Sequence, residues 1–417
     1  MPGTNPTAGK NSARRLDPAL RAIAVFLLLT STFASSAWAV TRYKTLHRFK
    51  RSDGFPYAGL IFDHGGNLYG TTQRSGTNYY GKVFELAPNS DGTWKESVLH
   101  SFNRTDGSSP YAGLVFDSAG NLYGAAYDGA GGYGSVFELT PDGHGSWTES
   151  VLHTFIDDGV DGMYPFAGLI FDSAGNLYGT TGGGGAYGYG TVFELTPNGD
   201  GSWKESVLHS FGVGNDGETP EASLIFDSVG NLYGTTAIGG ANAAGSVFEL
   251  MPNGDGSWKE SVLYSFKRDG TDGIFPFGCL IFDPLGNLYG TTERGGRPNS
   301  GTVFELTPNK DGSWTESVLH SFKSKGGGGG HPYAGLIFDS AGTLYGTTSG
   351  GSITYGTVFK LKPSASGGWT ETVLHSFRDR PGAIPYCGLV FDQQGNLYGT
   401  TGGDGITTFG SVFEITP

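Results

Sequence analysis

Cysteine is almost missing from this chain: there are 2, Cys279 and Cys387, among 417 residues. That excludes a disulfide-built scaffold and a thiolate metal cluster. The two sit one residue out of phase in their repeats, so their side chains are expected on opposite sheet faces, as small fillers and not as a bonded pair. Long apolar runs are absent after Phe33, so no later segment has the length of a membrane helix. Nor does any stretch space apolar residues at helical intervals between caps. Basic charge is scarce, with 26 Lys and Arg against 39 Asp and Glu and a net charge of −13. This balance argues against nucleic acid, whose affinity rests on basic residues. It suits a soluble protein, or one that takes cations or neutral ligands. Local catalytic motifs are also lacking: there is no Gly-x-Ser-x-Gly elbow, no His-Glu-x-x-His and no phosphate loop.

Basic charge is concentrated at the start. Lys10, Arg14, Arg15 and Arg21 precede the apolar stretch Ala22–Phe33, and Ala37-Trp38-Ala39 has a small-x-small pattern. Residues 1–39 therefore read as a signal peptide, with residues 40–417 as a single domain. The leader holds four basic residues and one acid, +3, which leaves −16 on the remainder. A secreted, periplasmic or extracellular location is expected, with no membrane contact once the leader is cleaved.

What the chain has in excess is glycine, 73 residues, at recurring places. Residues 166–211 show the pattern: FAGLIFD, SAG, NLYGTT, a Gly/Tyr loop, then GTVFELTPNGDGSWKESVLHSF. Copies start at Tyr57, Tyr111, Phe166, Glu221, Phe277, Tyr333 and Tyr386. Each resolves into four strands. In the third copy these are expected at Leu169–Asp172, Asn176–Thr181, Thr191–Leu195 and Trp203–Phe211, separated by Asp/Gly/Pro turns. Period two puts Trp203, Glu205, Val207, His209 and Phe211 on one face. Seven four-stranded antiparallel units of this length predict an all-β, seven-bladed β-propeller. The last copy stops after its third strand, while Tyr43–Phe49 (YKTLHRF) resembles the missing fourth. The N-terminal strand is therefore expected to complete the last blade and hide two open edges. A ring closed in this way is expected to be a monomer.

The motif GLIFD-x-x-GNLYGTT…G-[ST]-VFEL, at Gly168–Leu195 and six other places, resembles the GloVer tandem repeat of exported bacterial "choice-of-anchor" proteins. The resemblance spans about residues 41–417. It implies an exported repeat protein and brings no activity or catalytic residues. The sequence ends at Ile415-Thr416-Pro417 without a sorting tail, so release is expected over surface anchoring.

Repeated polar residues read as structural. His47, His100, His153, His209, His320 and His375, with Tyr264 in the seventh place, lie on the outermost strands, too far apart to share an ion. They are expected to pack or hydrogen-bond between blades. Glu85, Glu138, Glu194, Glu249, Glu305 and Glu414 cannot face one another as catalytic pairs must. Asp63, Asp117, Asp172, Asp227, Asp283, Asp339 and Asp392 are turn caps. No metal or cofactor is expected.

Variation is confined to the loops at the other end of the ring, where function tends to sit. Exposed aromatics there include Tyr79, Tyr127 and Tyr187. The aromatics just before the third strands (Tyr80, Tyr133, Tyr189, Tyr355, Phe409) are expected to pack on the next blade. Glu221 is the one acid where six copies have Tyr or Phe, and it opens the fourth blade near the central opening. Arg74, Arg294, Arg297 and Asp404 are unique to their loops and give, with Glu221, a candidate polar cluster. The sequence thus favours a non-catalytic binding module for an extracellular glycan or surface partner. A glycan hydrolase or lyase at the mouth, and a purely structural envelope protein, remain open as alternatives.

Overall fold

The computed structural model describes Gly3 and residues 41–417, apart from 51–52, 130, 324–326, 352–353, 366, 379–382 and 404–407. Residues 1–39, Gly3 excepted, on which the signal-peptide expectation falls, and Asp404 therefore lie outside the described residues. Among those described, every regular element is a strand. Seven four-stranded antiparallel sheets form the blades of a propeller.

The third blade shows why the repeat folds this way. Its strands are Ile170–Phe171, Leu177–Thr181, Thr191–Pro197 and Trp203–Ser210, paired in sequence order from the axis outward. Asp172 caps the first turn: its Oδ1 accepts from the Ala174 and Asn176 amides at 2.8 and 2.9 Å, and its Oδ2 from Asn176 Nδ2 at 2.8 Å. Gly179 is in mid-strand because a Cβ there would lie 2.6 Å from the Phe193 ring. The innermost strand is shorter than its apolar run implies. Carbonyls of the run leading into it are taken across the blade boundary instead: Thr180 Oγ1 donates to Ala222 O at 3.2 Å, and Thr291 Oγ1 to Ala334 O at 2.8 Å.

The outermost strand departs from simple alternation. Its register slips by one residue, so that Phe193 faces Val207 but Val192 faces His209, with Leu208 as the bulge. Trp203, Glu205 and Val207 thus keep one face, while Leu208, His209 and Phe211 turn to the other. The expected single face of five residues is corrected to two. Trp203 packs on the second blade's cluster with Tyr123 and Phe155. Leu208 and Phe211 pack on the fourth blade's Leu224, Leu232 and Phe248.

The core is accordingly a set of seven clusters, one at each blade boundary. The boundary between last and first blades is built like the others. Arg42–Arg48 pairs antiparallel with Ser411–Thr416, with Tyr43 opposite Ile415 and Thr45 opposite Phe413. Phe49 then joins Leu60, Phe84, Tyr398 and Val412 in one cluster. Thr400 Oγ1 donates to Ala58 O at 3.0 Å, closing the ring. Both cysteines are free.

Candidate functional site

Each blade is entered through a proline: Pro56-Tyr57, Pro110-Tyr111, Pro165-Phe166, Pro220-Glu221, Pro276-Phe277, Pro332-Tyr333 and Pro385-Tyr386. The residue before each proline has a left-handed backbone, with φ from 54° at Ser109 to 74° at Phe55. Such a conformation is costly for a side-chain-bearing residue and disfavoured before proline. It persists because neighbouring blades pin it on both sides. Tyr164, for example, donates its amide to Tyr133 O at 2.8 Å and accepts from Gly182 N at 3.0 Å. The strain aims the following side chain at the axis, seven times over.

The result is a collar around a central cavity of about 550 Å³. Five ring contacts join six aromatics in an open chain. Phe277 stacks on Tyr333 at 5.3 Å, and Tyr333 meets Tyr386 edge-on at 5.4 Å. Tyr386, Tyr57, Tyr111 and Phe166 continue it at 5.1, 5.6 and 4.9 Å. The seventh place, between Phe166 and Phe277, belongs to Glu221. Among the described residues no hydrogen bond or ion pair involves its carboxylate. Burial alone pushes its pKa up to about 7. Both cysteines also line the cavity.

The other expected site residues are distributed unevenly. Tyr127 joins the collar, stacked on Tyr164 at 5.0 Å and 4.7 Å from Phe166. Arg74 is exposed and close enough to lower the pKa of Tyr57 and of Tyr111 against the raising effect of their burial. Arg294 is held by Glu293 at 3.0 Å, and His331 Nδ1 lies 3.1 Å from the same carboxylate. Arg297 is separate: it lines a cleft with Tyr264, Asp272 and Glu316, outside the lining of the central cavity. Tyr79 and Tyr187 are 63% and 55% exposed, and neither lines the cavity. Sequence reading missed the collar itself, although the Pro-aromatic pair in six copies was its signal. Of the aromatics before the third strands, Tyr80, Tyr133 and Phe409 pack on core clusters. Tyr189 and Tyr355 are exposed.

At the periphery, the bulge places groups from adjacent blades together. His153 Nε2 lies 3.1 Å from Asp161 Oδ2, and His209 Nε2 3.0 Å from Asp216 Oδ2. In the fourth blade Tyr264 Oη donates to Asp272 Oδ2 at 2.7 Å in the same role. A phenol substituting for the imidazole fits hydrogen bonding between blades and not metal ligation. His100, Asp106 and Glu149 do bring one ligand atom each within 4.8 Å of one another. There, however, Asp106 Oδ1 already accepts from the Asn103 amide at 3.0 Å. Burial pushes Glu149, Glu205, Glu260, Glu316 and Glu371 up to about 7. Glu85, Glu138, Glu194, Glu249 and Glu305 share a tyrosine with the turn aspartate: Tyr178 Oη, for example, lies 2.8 Å from Glu194 and 3.2 Å from Asp172.

Fold and mouth together define a closed seven-bladed propeller with an aromatic-lined central pocket. The model of the Gloeobacter/Verrucomicrobia repeat matches residues 32–170, 126–328 and 259–417, and the chain belongs to that family. No curated protein matches it. Among solved structures it is similar to the extracellular domain of a hybrid two-component system from B. thetaiotaomicron, at 10% identity and a TM-score of 0.54. That match covers 89% of this chain but 39% of the other. A luciferin-regenerating enzyme matches at 13% identity and a TM-score of 0.43, over 90% of this chain and 95% of that one. A Thermus thermophilus protein described as an oxidoreductase (glucose dehydrogenase) matches at 18% and 0.40, over 74% and 94%. At these identities the likeness concerns the fold alone.

Proposed function

We propose that the protein is a non-catalytic binding module that takes a small organic group into the central mouth at its variable-loop end. The collar carries this reading: six aromatic rings and one carboxylate surround about 550 Å³. That volume falls within the roughly 300–1,000 Å³ of small-molecule sites, which are mostly apolar with a few polar groups for orientation. Rings locked by backbone strain lose little freedom on binding, which favours affinity. Two-carboxylate hydrolysis gains no support, since Glu221 is the one carboxylate among the described lining residues. Aromatic faces accept the apolar face of a sugar as well as an alkylated ammonium. Residues 1–39 support export of the module to the cell exterior.

Ligand-observed NMR with monosaccharides, alkylammonium ions and small aromatics tests this on the full chain and on Tyr386→Ala. Saturation transfer that the substitution abolishes is the expected result. Ligands that bind indifferently to Tyr386→Ala, Tyr57→Ala and Tyr111→Ala would overturn it.

A further inference from the structure

We infer that the mouth selects an organic monocation with an alkylated ammonium head, enclosed by the aromatic collar and neutralised by Glu221. This rests on the binding reading above and adds the ligand's charge. The ring chain is open at one place, and that place holds the lone carboxylate. Aromatic faces carry negative quadrupole potential, and rings surrounding a quaternary ammonium are a known use of it. A carboxylate among such faces makes the pocket negative on every wall that Glu221 and the rings supply. Glu221 also lacks what Glu293, the other acid that acts on Tyr333, has. Glu293 is held by Arg294 at 3.0 Å and His331 at 3.1 Å, whereas no described residue bonds Glu221. A desolvated carboxylate without a partner calls for a cation from outside.

The cation's class follows from the lining. A hard ion such as Ca²⁺ takes 6–8 oxygen ligands, and one carboxylate among rings does not provide them. A weakly hydrated ammonium carrying methyl groups needs none. Arg74 influences Tyr57 and Tyr111, in the first and second blades, so the ligand's positive head is directed to the fourth-blade side. Glu221 is also dispensable to the fold, because six copies hold Tyr or Phe at this position.

Three compact methyl-rich probes of different charge test the inference by titration calorimetry on the full chain: tetramethylammonium (cationic), tert-butanol (neutral) and pivalate (anionic). Tetramethylammonium is expected to bind best. Glu221→Gln and Glu221→Phe are expected to weaken it roughly tenfold or more while leaving tert-butanol within about twofold. Tetramethylammonium affinity should also fall as pH drops from 8 to 6, since protonation removes the counter-ion. The groups coupled to Glu221 are Tyr127 and Tyr333, whose pKa values burial raises, so both stay neutral across that range. Equal binding of all three probes, or preference for pivalate, would overturn the cation and leave the collar as a site. Absence of binding by all three would also overturn the cation, and the saturation-transfer screen with sugars and aromatics would then decide the binding reading separately.

Discussion

The phenol of Tyr178 is buried at 5% exposure and shared by two carboxylates, Asp172 and Glu194. Removing it takes away the donor to Glu194, while Asp172 Oδ2 keeps Asn176 Nδ2. Tyr178→Phe is expected to cost about 1–3 kcal/mol in urea unfolding, although no apolar contact is lost. Glu205 poses the opposite case. Burial disfavours the charge and pushes its pKa in the folded state up to about 7, above the ordinary glutamate value of 4.5. Between those values the folded protein binds more protons than the unfolded chain, so this group's contribution to stability falls as pH rises. Glu205→Gln removes that penalty. The variant should match the wild type at about pH 4, below the unfolded value, and exceed it at pH 8 by on the order of 1 kcal/mol, after discounting for partial exposure. Thermal melts at the two pH values check the sign. His320 opposes this trend, since burial lowers it to about 4 and its contribution grows as pH rises towards 6.5. The comparison is therefore between variants at each pH and not between pH values. Lys82 is a residue whose role was illegible. It is buried where six blades have Ser or Thr, and Glu96 at 2.6 Å and Asp53 at 3.7 Å surround it.

Among elements, the outermost strand holds the most information beyond its sequence pattern. Its bulge exposes Val98 at 52% while Leu99 packs on the next boundary's cluster. Strict alternation would rank Val98 as the inward residue. The expected result is the reverse: Leu99→Ala destabilises by roughly 1–3 kcal/mol and Val98→Ala by less than about 0.5, by denaturant midpoint. The same bulge brings the His of one blade beside the Asp in the incoming loop of the next and near that blade's Glu, so a one-residue slip is repeated into an interface. The two-residue ribbons Gly162–Met163 with Gly183–Gly184, and Gly217–Glu218 with Ile238–Gly239, were likewise invisible. They tie the incoming loop of a blade to its variable loop with too few residues to leave a periodic signal.

For the whole molecule, closure decides stability. Without Arg42–Arg48 the last blade would have three strands and Ser411–Thr416 would be left unpaired along its outer side. Deleting residues 41–49 removes the six pairings of Arg42–Arg48 with Ser411–Thr416 and takes Phe49 from its cluster. The expected outcome is a lower melting temperature together with oligomers in size-exclusion chromatography. An unchanged monomeric melt would show that the seventh blade stands without its fourth strand.

The seven units, their four strands, the capping turns and the closing strand were all fixed by local pattern. Each depends on residues close in sequence or on a copy count, and such features survive without coordinates. Which face a residue meets after the bulge, how seven pre-proline residues are held in a strained backbone, and how six distant aromatics meet around one acid were decided by tertiary packing. Tyr111 and Phe166 are 55 residues apart along the chain and their rings lie 4.9 Å from each other; Tyr57 and Tyr386 are 329 apart and come within 5.1 Å because the ring closes. Glu221 was legible as an odd residue in a repeat; that no described residue bonds its carboxylate was not, because that depends on the space around it.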